Sequence, residues 1–452
     1  MSNTELYTFK NRDDFNREHI ADKIINLLNS TINVSPMIVD GSWGVGKTEF
    51  CQKLINKMDE SDKNKNHLIY IDAFKADHAN EPLMTVLVAV LNILPDDTNK
   101  KELRKKVLPV LRYSLKVGGK ALFSHIFKQD SETVVEGFES EINKVAEKAI
   151  DASVETLLQD HIDSEKNLRA LQETLKQVAE EKPIILFIDE LDRCKPDFAI
   201  LMLETIKYVF DINKVNFVLI ANTIQLKASI NHCYGSIDAE RYLDKFIKFK
   251  FLLPNITNRI YSSINLASVH HYQNLIKSSP YLSNLGIEDN YYVLLLEMIF
   301  EKNNTSLREV ETLVRNLEIF QVINLQDGIN NRGSYLYKLI TILSIALAIY
   351  KPKIAQDLLD NRLDAKDFVE FTGIKELTIL KGNKINPLHL IAYIYVKGSS
   401  LNNDLYQLKD EQKEYIEDCI YNAMTDDDFS LSEHDVLKYL QDPIRKLWFS
   451  YE

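Results

Sequence analysis

Cysteine is scarce in this chain of 452 residues: Cys51, Cys194, Cys233 and Cys419 stand far apart, without metal-ligand spacing. That spacing offers no disulfide framework and no cysteine-based zinc site, and it reads as the reduced thiols of a cytoplasmic protein. Positive charge is also in short supply. Lys and Arg total 54 against 66 Asp and Glu, a formal net charge of −12. The balance argues against a general nucleic-acid surface, although it leaves room for a local basic patch. The first ten residues carry no apolar run of the kind found in a secretory signal. Long apolar runs are missing elsewhere too. The best candidate for a membrane span, 335–350, is short, carries Lys338 and is stopped by Lys351 and Pro352, so it reads as a core helix. No internal repeat or low-complexity tract is visible. What is plentiful is hydrophobic residue, 45% of the chain, enough for a sizeable core. The length predicts roughly two to four domains.

Around one stretch, 35–50, the chain is organised. A short apolar run, 37–39, reads as a buried strand. Residues 41–48 then fit G-x-x-x-x-G-K-[ST], the phosphate-binding loop. Gly41 and Gly46 let the backbone curl, so that successive N–H groups point inward and form an anion nest. Lys47 can reach the outer phosphates, and the Thr48 hydroxyl can ligate Mg²⁺. The helix that starts at Lys47 turns its positive end toward the same phosphates. Gly41, Ser42, Trp43, Gly44, Val45, Gly46, Lys47, Thr48 and Glu49 are therefore the candidate nucleotide-binding set.

The spacing of apolar residues divides the rest. Asp13 and Asp14 cap a helix carrying Phe15, Ile20, Ile24, Ile25 and Leu28. A second strand covers 68–71, and Pro82 opens a helix. Residues 95–182 have an almost wholly helical pattern and read as a helical insertion. Within it, Arg112, Lys116 and Lys120 recur every four residues, on one face. That face is either solvated or a membrane-surface helix. Gly118 and Gly119 interrupt it and favour the solvated reading, so membrane contact is peripheral at most. A buried-type strand at 184–188 ends in Asp189, Glu190, Leu191, Asp192, Arg193 and Cys194. An apolar strand closing on acids downstream of a phosphate loop marks Asp189 as the Mg²⁺ carboxylate. Glu190 is the candidate general base, with a cap on the next turn as its alternative. Asp192 and Arg193 are expected to shape the loop, pairing with the backbone or with each other.

A further buried strand, 217–221, ends in Asn222, which either senses the water near the terminal phosphate or serves as a strand-end amide. Pro254 opens a second region, expected to be helical to 325. There the run Asn303-Asn304-Thr305-Ser306 caps a helix with Arg308 in its first turn, where a cation is poorly matched to the helix dipole and is turned toward either a phosphate or a carboxylate. Residues 326–334 read as a linker and 335–452 as helical, with Trp448 and Phe449 docking the terminus. The expected architecture is α/β: a P-loop NTPase core in 1–94 and 183–254, with a mostly parallel sheet flanked by helices. The insertion at 95–182, a helical lid at 255–325 and a helical C-terminal domain at 335–452 complete it.

The order of these features resembles the KAP family of P-loop NTPases. The resemblance rests on Asp40 through the phosphate loop to Thr48, on Ile71-Asp72-Ala73-Phe74 with Glu81-Pro82-Leu83, and on Phe187-Ile188-Asp189-Glu190-Leu191-Asp192-Arg193-Cys194. Arg241-Tyr242-Leu243-Asp244-Lys245-Phe246-Ile247 and Ser306-Leu307-Arg308-Glu309-Val310 also fit. Family members tend to have Trp where this chain has Phe74, and many carry membrane helices where this insertion is charged. The resemblance implies Mg²⁺-dependent ATP hydrolysis by a switch protein in bacterial anti-phage defence or phage exclusion. It further implies an unidentified protein partner. By analogy, Arg241 is an arginine supplied near the terminal phosphate across the interface of a homo-oligomer, and Arg308 is the phosphate sensor of the lid. The competing reading is a module that binds ATP with little turnover and presents helical surfaces to a partner. A nucleic-acid motor is not favoured.

Overall fold

The structure is a computed structural model that describes residues 7–61, 65–79, 81–93, 169, 171–254, 256–260, 263–324, 328–329, 335–363, 365–373, 390, 409–425 and 436–449. It falls into two compact units, Met1–Pro254 and Asn255–Glu452. The stretch 107–127, the acidic run at 426–428 and the part of the insertion before 169 lie outside the described residues. Residues 171–181 are helical.

The first unit is a five-stranded parallel sheet. Its strands are β1 (Met37–Asp40), β2 (His67–Asp72), β3 (Ile184–Asp189), β4 (Val215–Ala221) and β5 (Phe249–Leu252), in the order β2-β3-β4-β1-β5. Continuous apolar runs suit this arrangement, because a parallel sheet covered by helices buries both faces. Alternate residues feed opposite cores. Met37, Val39, Ile185, Phe187, Val218 and Ile220 enter one, together with Phe50, Cys51 and Leu54 of the helix α2 (Lys47–Ser61). Ile38, Leu186, Ile188, Phe217 and Leu219 enter the other. The second core is covered by α3 (Pro82–Ile93) and α4 (Pro196–Val209), each with Pro at its first position, where a missing N–H costs nothing. Register brings the strand ends level. Asp40 pairs with Ala221 and Asp189 with Ile220 across the shared neighbour β4. The ends of β1 and β3 are thus about 10 Å apart, two strand spacings. Ligands of open parallel sheets bind beyond such carboxyl ends.

Other elements of this unit are α1 (Glu18–Leu28), α5 (Thr223–Tyr234) and α6 (Ala239–Leu243). The N-cap of α1 is Arg17; Asp13, one turn earlier, accepts from the backbone N–H groups of Arg17 and Glu18 at 2.8 and 2.9 Å, while Asp14 pairs with Arg12 instead of capping.

The second unit opens differently from the sequence reading. Ile256–Ile260 (β6) and Ser263–Leu266 (β7) form an antiparallel pair before the first helix. β-Branched residues alternating with polar ones over so few positions favour a strand over a helix. Eight helices follow in the described residues: α7 (Ala267–Ser278), α8 (Asn290–Asn303), α9 (Leu307–Ile323), α10 (Tyr335–Tyr350), α11 (Pro352–Leu359), α12 (Ala365–Thr372), α13 (Asp410–Thr425) and α14 (Val436–Trp448). α10 is the centre, buried throughout 336–348. Thr341 and Ser344 donate to the carbonyls one turn back, and Lys338 Nζ donates to the Leu285 carbonyl at 2.7 Å. These bonds make its polar groups tolerable in an apolar interior. No helix among the described residues is long and apolar enough to cross a membrane.

The sequence reading separates 255–325 from 335–452. In the structure, Tyr272, Phe300, Leu313 and Phe320 share one core with Leu339, Leu343, Phe371 and Ile444. Helices on both sides of the Gly- and Asn-rich segment bury their apolar faces against α10, and composition could not show that. The terminus departs as well. Leu440 and Ile444 make the packing contact of α14, while Phe449 is 73% exposed with φ 49°.

Candidate functional site

The phosphate loop joins β1 to α2. Gly44 and Gly46 take φ of 78° and 82°, the left-handed region where a side chain is disfavoured. Gly41 is needed for a different reason: a Cβ there would stand 2.9 Å from Val45 Cγ2. Lys47 folds back over the loop and donates to the carbonyls of Gly41 at 2.8 Å and Ser42 at 3.1 Å. Burial lowers its pKa below the ordinary lysine range, opposed by the nearby charges of Asp192, Asp189 and Asp40. Thr48 is exposed and Glu49 half-buried, the latter paired with Lys53 at 2.7 Å.

Beside the loop stands the end of β3. Asp189 is 1% exposed. Its Oδ1 accepts the Glu190 N–H at 2.8 Å and its Oδ2 the Tyr70 hydroxyl at 3.1 Å. Burial still pushes the carboxyl above the ordinary range. Glu190 follows in a left-handed turn, φ 59° and ψ 24°. Its carboxyl is pushed up by burial, with the Arg193 guanidinium, 3.0 Å away, pulling the other way. Asp192 accepts the Trp43 indole N–H at 2.6 Å. Asp192 and Arg193 therefore do not pair with each other. Each reaches a different side chain, because the 3₁₀ turn Leu191–Arg193 points them in separate directions.

Asn222 ends β4, and its Oδ1 accepts the Ile224 N–H at 3.0 Å, which makes it the cap of α5. The next residue ties in β1. Thr223 donates its N–H and hydroxyl to Asp40 at 2.9 and 2.7 Å, and Lys250 Nζ lies 3.1 Å from Asp40 Oδ2. These partners hold the Asp40 carboxyl below its ordinary range against the opposing effect of burial.

Three contributors carry no sequence signal of their own. Tyr70 looks like one more strand aromatic. Lys250 lies on β5, where its spacing says nothing of Asp40. Arg17, 4% exposed, donates to the carbonyls of Val45 at 2.9 Å and Pro254 at 3.0 Å, so it braces the phosphate loop from below. Burial depresses its pKa to about 10.

Arg241 finds its partner elsewhere in the first unit, and Arg308 belongs to the second. The Arg241 side chain is 87% exposed on α6, paired with Asp238 at 3.3 Å. Arg308 is exposed in the first turn of α9, in the second unit, after a full capping box between Ser306 and Glu309.

Chemically, the cluster offers an anion nest, a lysine and two hard oxygen donors, the Thr48 hydroxyl and the Asp189 carboxylate. Such a pair fits a cation that completes its shell with phosphate and water. Among the described residues no group of three or more His, Cys, Asp or Glu could hold a metal by itself.

The KAP family P-loop domain matches residues 17–324. No curated protein matches the chain. Among solved structures, the ORC2 protein of Aeropyrum pernix, determined as ADPNP and ADP complexes, is a distant likeness. It has 13% identity and a TM-score of 0.36, over 96% of this chain and 95% of that one. The family match spans more than half of the sequence and begins at the arginine that braces the loop: the chain belongs to the KAP family of P-loop NTPases.

Proposed function

We propose that this protein hydrolyses ATP with Mg²⁺ and uses the cycle as a switch. One observation carries the reading. The Trp43 indole N–H of the phosphate loop donates to Asp192 at 2.6 Å, in the turn that follows Asp189, so we read the loop and the acidic strand end as serving one ligand. The loop N–H groups from Ser42 to Glu49 would cradle the phosphates, and Lys47 would leave its carbonyls for the outer ones. Thr48 and Asp189 would hold Mg²⁺, the latter through water, and the ion would supply neutralisation of phosphate charge. Tyr70 keeps the Asp189 carboxylate oriented. Glu190 takes the proton of the attacking water. Asn222, its Oδ1 committed to the cap, would meet that water only through its amide nitrogen.

Phosphate release by the full chain should require both ATP and Mg²⁺ and should stop on adding EDTA. No release above buffer, with nucleotide bound, would leave only the scaffold reading. GTP in place of ATP tests base preference in the same assay.

We assign Arg241 to the pocket of a neighbouring copy, because its charge is presented outward and partnered only weakly in its own turn. Size-exclusion with light scattering should then show assembly when an ATP analogue is added. An unchanged monomer removes Arg241 from that role. The helical second unit, with Arg308 exposed, is the part we assign to the output of the switch. A setting in anti-phage defence rests on the family resemblance.

A further inference from the structure

Arg193 is the one guanidinium among the acids that follow β3, and the mechanism above leaves it unused. Its Nη1 lies 3.0 Å from Glu190 Oε1, and the two side chains are 32% and 20% exposed, so solvent reaches the pair. The turn that carries it is fixed, because its neighbour Asp192 accepts the Trp43 indole N–H of the phosphate loop. Its charge is felt at Lys47, where it disfavours the ammonium. Around Glu190 the facing groups are Arg193 and the carboxylates of Asp72, Asp189 and Asp192.

We propose that Arg193 is a phosphate-contacting residue supplied within the chain: parked on Glu190, it transfers to the terminal phosphate of a bound triphosphate and thereby frees the base. This rests on the ATP-hydrolysis reading and adds to it how the site tells a triphosphate from a diphosphate. The arginine fork fits phosphate oxygens as well as it fits a carboxylate. While an N–H of Arg193 occupies Glu190 Oε1, that oxygen is a poor acceptor for a water proton. After transfer, the water oxygen bonds to the terminal phosphorus and the bond to the bridging oxygen breaks. Its electron pair leaves with the diphosphate, and the water proton goes to Glu190. A diphosphate lacks the third phosphate, so Arg193 stays on Glu190.

The test is equilibrium titration of the full chain with a non-hydrolysable ATP analogue and with ADP, followed by Trp43 fluorescence or calorimetry. Parent, Arg193→Gln and Arg193→Lys are compared through the ratio of the two affinities within each protein, which an inactive fraction does not alter. Arg193→Gln should weaken the analogue roughly tenfold or more, the scale of one charge-assisted hydrogen bond, and leave ADP within about twofold. Arg193→Lys should recover part of the loss, since it keeps the charge without the fork. Equal weakening of both nucleotides, or no change in either, would overturn the assignment and leave Arg193 as a shaper of the turn. A parent that binds neither nucleotide would overturn the ATP reading and this inference with it.

Discussion

Lys47→Ala is expected to remove ATP turnover and to weaken nucleotide binding by roughly 10- to 100-fold, the loss of one buried charge-assisted contact. The lysine has two tasks. It ties down the carbonyls of Gly41 and Ser42, and it is the cation placed to meet the outer phosphates. Its ammonium is partly desolvated, so an arriving anion interacts with it more strongly than it would in water. Titration calorimetry with ATP and Mg²⁺ measures the affinity, and thermal unfolding of the unliganded protein checks that the loop still folds. Affinity unchanged within error would remove Lys47 from the phosphate site. The same variant tests the biology. If the chain acts in phage exclusion, cells carrying Lys47→Ala should lose protection in plaque counts, and equal counts with parent and variant would refute that setting.

Glu190→Gln should lower kcat by about 10²- to 10⁴-fold while leaving ATP bound. Gln keeps the size of the side chain and can occupy the same turn, but it cannot take a proton. Stability should change little, because the lost ion pair with Arg193 is partly exposed, a kind worth about 0–1 kcal/mol. The variant should therefore accumulate the triphosphate complex, measurable as retained ATP after rapid gel filtration. Equal phosphate release by Glu190→Gln and the parent would reassign the base. Asp189→Asn makes a useful contrast. It removes charge from the carboxylate that Tyr70 and the Glu190 N–H converge on, so it should weaken the dependence on Mg²⁺ as well as the rate.

Much of the first unit was legible because its signals are local. The runs at 37–39, 184–188 and 217–221 are apolar throughout, and a strand buried on both faces reads that way. The loop motif names its own residues. The second unit was harder. Its opening antiparallel pair is too short for periodicity to settle, and the Gly- and Asn-rich segment before α10 looks like a boundary although one core spans it. The roles of Asp192 and Arg193 were half-visible. Their side chains make contacts other than the expected mutual pair: Arg193 meets Glu190, and Asp192 meets Trp43, 149 residues away in sequence. Tyr70 was invisible, being 119 residues from the carboxylate it touches. No spacing rule reaches that far.

From the residue order alone came the elements that depend on neighbours along the chain: the glycine bend, the lysine and threonine that follow it, the apolar strands and the acids at their ends. These obey short-range sterics and periodicity, which any stretch carries within itself. The folded chain decided which of those groups meet. Parallel pairing set Asp189 level with Asp40 across β4, placed Tyr70 under the carboxylate and swung Trp43 onto Asp192. Such meetings follow from strand order and register, which depend on how the whole sheet closes and on nothing that a local window contains.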